Sequence, residues 1–161
     1  MAYTVTLPQF ARKIRGLGND LERATIRGLR SAAMRLESFI IEEIDAAGAV
    51  ATSELKASVD TEPTELGAIT GADAPHAPFI EFGTRPHMPP IQPIEDWVRI
   101  KGLASDDEEV EEIAMDIAWT IYKYGTEPRF FLKKAIKRWK RAKIIDEEIA
   151  DELRALERRR A

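Results

Sequence analysis

The chain has 161 residues, of which 44% are apolar and 32% charged, enough for one self-sufficient core and unlike a disordered or collagenous chain. A net charge of −4 is too balanced for a general nucleic-acid binder, and the lack of cysteine excludes disulfides, thiolate nucleophiles, iron–sulfur clusters and cysteine-bearing zinc sites. No apolar run approaches the roughly 18 residues of a membrane span, and the first residues lack the basic and apolar regions of an export signal, so the expectation is a protein made in the cytoplasm with no membrane association.

Tyr3, Val5 and Leu7 alternate with threonines and predict a short strand. Pro8 then opens a helix carrying Phe10, Ile14 and Leu17, which Gly16 and Gly18 are expected to end. Asn19 or Asp20 caps a longer helix whose core stripe is Leu29, Ala33, Leu36, Ile40 and Ile44, with Arg23, Arg27, Arg30 and Arg35 on a solvated face. Past Ala47-Gly48-Ala49 the period becomes two. Leu55, Ala57 and Val59 predict a strand, Thr61-Glu62-Pro63-Thr64 a turn, and Leu66, Ala68 and Thr70 the return strand of a hairpin.

Prolines 75, 78, 86, 89, 90 and 93 forbid a continuous helix or central strand and predict a long ordered loop, with one helical turn from Ala77 to Phe82. A short helix follows from Pro93 to Gly102, with Ile94, Trp97, Val98 and Ile100 inward. Ser105 and Glu108 have capping-box spacing, and Val110, Ile113, Ala114, Ile117, Ala118 and Ile121 form the clearest amphipathic stripe, ending at Gly125. Pro128 is expected to open a last, unbroken helix about 45 Å long. Its stripe runs through Leu132, Ala135, Ile136, Trp139, Ile145, Ile149, Leu153 and Leu156. The fold class is therefore α+β: long helices packed on a small antiparallel sheet with a hairpin, residues 1-143 as one domain and residues 144-161 as a C-terminal helical extension.

His76 and His87 both lie in the proline-rich loop without a ligand-spaced partner, and read as structural or surface residues. Without a nucleophile elbow, phosphate-binding glycine loop or zinc-binding helix motif, the chain reads as a non-enzyme with no cofactor and no metal. Asp106 to Glu112 is an acidic run read as a solvated helix start. Lys133, Lys134, Lys137, Arg138, Lys140, Arg141 and Lys143 form a basic surface, suited to DNA or to the acidic run of a neighbouring copy; Trp139 within it reads as a core residue.

One string is more specific. Ile80-Glu81-Phe82-Gly83-Thr84 leads into Arg85-Pro86-His87 and then Pro89-Pro90, and Gly125-Thr126-Glu127-Pro128-Arg129-Phe130-Phe131-Leu132-Lys133-Lys134-Ala135 follows later. Gly83 suits a sharp turn at positive φ after a partly buried Phe82, with Glu81 and Thr84 anchoring the loop root through local hydrogen bonds. These two motifs, in this order, resemble the tail-completion or head-tail joining neck proteins of tailed bacteriophages, over about residues 10 to 140.

The resemblance implies a structural, non-catalytic virion protein that forms a closed six-fold ring between the DNA-filled head and the tail tube. Its partners would be further copies of itself, the connector or head-closure protein, and the tail tube or terminator protein, with non-specific contact to DNA in the ring. It would reside in the virion neck, and in the host cytoplasm during assembly. Glu81, Phe82, Gly83, Thr84, Arg85, Pro86, His87, Pro128, Arg129, Phe130, Phe131 and Leu132 would carry the structural motif and interface. A tail terminator that caps the tube and a basic-helix DNA-binding protein are the alternatives. The stripe Ile145, Ile149, Leu153 and Leu156 is expected to dock on an adjacent subunit or neck partner, with Arg158, Arg159 and Arg160 at its rim.

Overall fold

The structure, a computed structural model, describes residues 7–48 and 54–160. The strand expected at Tyr3 to Leu7 falls outside them, apart from Leu7, which starts a helix. That helix, α1 (Leu7–Ala46), is a single rod of 40 residues, about 60 Å long at 1.5 Å per residue. Gly16 and Gly18 do not end it, a correction to the sequence reading. Each costs about 1 kcal/mol relative to alanine, a penalty that an otherwise favourable run absorbs, and neither has positive φ.

Residues Glu54–Ala57 form one helical turn, α2, instead of the expected strand, because Leu55 inserts fully into the core. The strands are β1 (Val59–Pro63) and β2 (Ala68–Ala72), paired antiparallel with Val59 opposite Ala72 and Pro63 opposite Ala68. The turn thus lies at Thr64–Gly67, closed by a bond from Thr64 N–H to the Gly67 carbonyl at 2.9 Å, and Pro63 belongs to the strand end. Thr61 and Thr70 face each other across the hairpin and bind it to α1, Thr61 donating to Glu37 at 2.8 Å and Thr70 to the Ala33 carbonyl at 3.2 Å.

The proline-rich stretch contains α3 (Ala77–Phe82), as expected, and leads to α4 (Gln92–Lys101) and α5 (Asp107–Tyr124). Ile100 faces solvent, contrary to expectation, because Ile94, Trp97 and Val98 already fill the α4 face against α5. The N-cap of α5 is Asp106, one residue later than expected; it accepts from Glu109 N–H at 2.9 Å while Glu109 accepts from Ser105 N–H at 2.7 Å. The Asp106 bond satisfies a donor that the helix start leaves open, and the Glu109 bond ties the residue before the cap to the first turn.

The C-terminal part departs most from expectation. Helix α6 (Phe131–Arg141) begins three residues past Pro128, and the chain breaks at Lys143, with φ 53°, before α7 (Ile144–Arg160). Ile144 is buried just past the break, and α7 lies along α1 of the same chain. At the closest approach, a Cβ on Gly28 would sit 2.8 Å from the Ile149 backbone. The stripe of Ile145, Ile149, Leu153 and Leu156 is thus half-buried within its own subunit, which corrects the expectation that it docks on a partner. Arg27, Arg30 and Arg35 of α1 are corrected with it, while Arg23 is exposed as expected. Arg27 pairs with Glu152 at 2.8 Å, and Arg35 with Glu147 and Glu148 at 2.9 Å each. Arg30 reaches the Gly67 and Thr64 carbonyls of the hairpin turn.

Two apolar clusters form among the described residues. The main one joins Ile40, Ile44, Leu55, Val59, Ala74, Ala77, Phe131 and Ala135; the smaller joins Val98, Val110 and Ala114 of the α4–α5 pair. The loops that carry the two sequence motifs run between them.

Candidate functional site

Both motifs end a helix on a glycine followed by threonine. Gly83 terminates α3 at φ 71°, and Gly125 terminates α5 at φ 75°. The two Gly-Thr segments cross antiparallel as an isolated β-bridge. Thr84 N–H donates to the Thr126 carbonyl at 3.1 Å, Thr126 N–H donates to the Thr84 carbonyl at 3.2 Å, and the two hydroxyls lie 3.1 Å apart. Neither glycine has room for a side chain. A Cβ on Gly83 would run into the Thr126 carbonyl and lie 2.9 Å from Pro128 N, while one on Gly125 would run into the Thr84 carbonyl and lie 2.9 Å from the Arg85 backbone. Positive φ and close backbone approach thus coincide at both positions.

A second layer continues the joint. Arg129 N–H donates to the Ile80 carbonyl at 2.9 Å and Phe130 N–H to the Glu81 carbonyl at 3.2 Å. Phe130 has no capping side chain for α6 and adopts a left-handed backbone, φ 53°. The cap comes from Glu81 instead, whose buried carboxylate accepts from Leu132 N–H at 2.8 Å and Lys133 N–H at 3.1 Å. A carboxylate there answers both the open donors and the positive end of the helix dipole. The anchoring by Glu81 and Thr84 is therefore long-range, spanning 51 and 42 positions of the chain, and not local as the sequence suggested.

Phe131 is buried in the main core and Leu132 packs against it, while Pro128 and Arg129 are exposed. Phe82 is 71% exposed, a correction: Ala77 and Glu81 occupy the inward face of α3, which turns Phe82 and Phe79 to solvent. Arg85, Pro86 and His87 leave the latch along an open groove of about 1010 Å³, whose walls include Ile80, Trp97 and Ile121. His87 Nδ1 lies 2.9 Å from the Arg85 carbonyl, and His76 sits at the start of α3. Among the described residues no group of three or more His, Asp or Glu could hold a metal ion, and no helix is long and apolar enough to cross a membrane.

Nothing local in the sequence places these two motifs against each other. Two signals were available: the repeated Gly-Thr at two helix ends, and the absence of a capping Ser, Thr, Asp or Asn before Phe131 while Glu81 shares the inward face with Ala77. Of the basic run, Arg138 is committed internally, to Glu43 at 2.7 Å and Glu42 at 2.9 Å. Hydrogen bonds to those carboxylates push its pKa above the ordinary arginine value. Trp139 is half-buried and donates from Nε1 to the Ala32 carbonyl at 2.8 Å, the role of a packed residue. Searches against family models, curated proteins and solved structures found no match to this chain.

Proposed function

We propose that this chain is a structural, non-catalytic component of the neck of a tailed-phage virion, acting as a ring between the head connector and the tail tube. The observation that carries the reading is the latch. The two motifs on which the resemblance rests are the segments that lock to each other, through bonds that leave no room for side chains at Gly83 and Gly125. Such a joint holds the α4–α5 pair at a fixed angle to the main body, a property suited to a ring subunit, in which a small angular error repeated around the axis prevents closure. Exposed Phe79 and Phe82 beside the latch add apolar area for a partner.

The experiment is electron microscopy of particles produced without this protein. Filled heads and finished tails that remain unjoined are the expected result. Tails of uncontrolled length would transfer the reading to a tail terminator, and intact infectious particles would overturn both.

A further inference from the structure

Two faces of opposite charge, on successive helices, find no ionic partner among the described residues of the subunit. On α6, Lys133, Lys134, Lys137, Lys140 and Arg141 are exposed, and none forms an ion pair among the described residues. On α5 the outward line is Glu108, Glu112, Met115, Trp119 and Tyr122, all exposed, with Asp116 beside it. Trp119 and Tyr122 stack edge to face, with centroids 5.5 Å apart. Elsewhere charges of opposite sign meet internally, as at Arg35, Arg99 and Arg138.

We propose that the acidic–aromatic face of α5 docks on the basic α6 face of the next copy of this chain. The inference rests on the ring reading above and names the two surfaces that close the ring. Three features select a second copy as the occupant. The charges are complementary, whereas each face would repel its own duplicate, so α5 of one copy meets α6 of another and not its α5. The line Lys133, Lys137 and Lys140 has spacings of four and three, matching the spacing along Glu108, Glu112, Met115, Trp119 and Tyr122, as packing of two helices requires. Lysine suits both halves of the opposing line: its ammonium pairs with the carboxylates or sits over the Trp119 ring, and its methylene stem covers Met115 and Tyr122. The latch lies between the end of α5 at Tyr124 and the start of α6 at Phe131, so its backbone bonds set the angle between the two docking faces.

The test uses two charge-reversed full-length variants, Glu108→Lys/Glu112→Lys/Asp116→Lys and Lys133→Glu/Lys137→Glu/Lys140→Glu, sized by light scattering with circular dichroism as the check on folding. Wild type assembles, and each variant alone loses about a hundredfold in self-association. An equimolar mixture reassembles as alternating copies, because reversed α5 then meets reversed α6. The milder pair Glu112→Lys and Lys137→Glu repeats the pattern with smaller amplitude, so a folding defect in a triple variant leaves the question decidable. Variants that assemble like wild type, or a mixture that stays monomeric, overturn the interface and leave the ring reading standing. A wild-type chain that is monomeric at every concentration and salt level overturns both. Loss of binding to random duplex DNA with unchanged assembly in the α6 variant assigns the basic face to nucleic acid and also overturns the proposal.

Discussion

Distant parts of this chain meet by different means at the latch and along the α1–α7 seam. At the latch, backbone meets backbone: Thr84 and Thr126 exchange amide bonds, Glu81 caps α6, and two glycines at positive φ allow the approach. Along α1 and α7, side chains meet side chains, with a half-buried apolar stripe flanked by the pairs Arg27–Glu152 and Arg35–Glu147/Glu148, and Arg160 beside Asp20 at the far end. A backbone joint concentrates its requirements in a few atoms and tolerates almost no change there. A side-chain seam spreads its stability over many replaceable contacts, of which exposed ion pairs are the weakest.

The sharpest way to break this contrast is at the latch glycines. Gly83→Val and Gly125→Val each combine positive-φ strain with overlap of a backbone carbonyl, and each should cost about 4 kcal/mol in urea unfolding. Wild-type unfolding in either variant would refute the crossing geometry. Next is Glu81→Ala, which removes the cap and leaves the part-buried Leu132 and Lys133 amides without it; a loss of about 2–3 kcal/mol is expected, with Glu81→Gln recovering part of it.

The helical seam should respond less to a change at its tightest point. Gly28→Ala sets a Cβ against Ile149, while alanine's better helix propensity offsets part of the overlap, so thermal unfolding should show a loss of about 1 kcal/mol. A loss as large as that at the latch would mean that α7 cannot shift along α1. The smallest effect has the opposite sign. At Gly16 and Gly18 an added Cβ meets nothing within 4 Å, and alanine at each should raise stability by about 0.5–1 kcal/mol in the same measurement. No change would show that this end of α1 frays before global unfolding.

Local spacing and punctuation by themselves fixed α5, α4, the helical turn at Ala77–Phe82 and the α+β class with an antiparallel hairpin, though not that hairpin's strand bounds or turn, because each follows from features that neighbouring residues share. Only the tertiary structure decided the rest. Nothing in Arg141-Ala142-Lys143-Ile144 breaks a helix locally; burial of Ile144 and the packing of α7 on α1 offset the cost of a left-handed lysine. The same holds for Leu55, whose alternating pattern reads as strand until the core claims its side chain for a helical turn. The latch belongs to this second group, because a Gly-Thr pair has no preference for another Gly-Thr pair until two helix ends bring them together. Glu81 becomes the cap of α6 for the same reason: the donors it satisfies lie 51 and 52 positions away, and only the packed core sets that distance to a hydrogen bond.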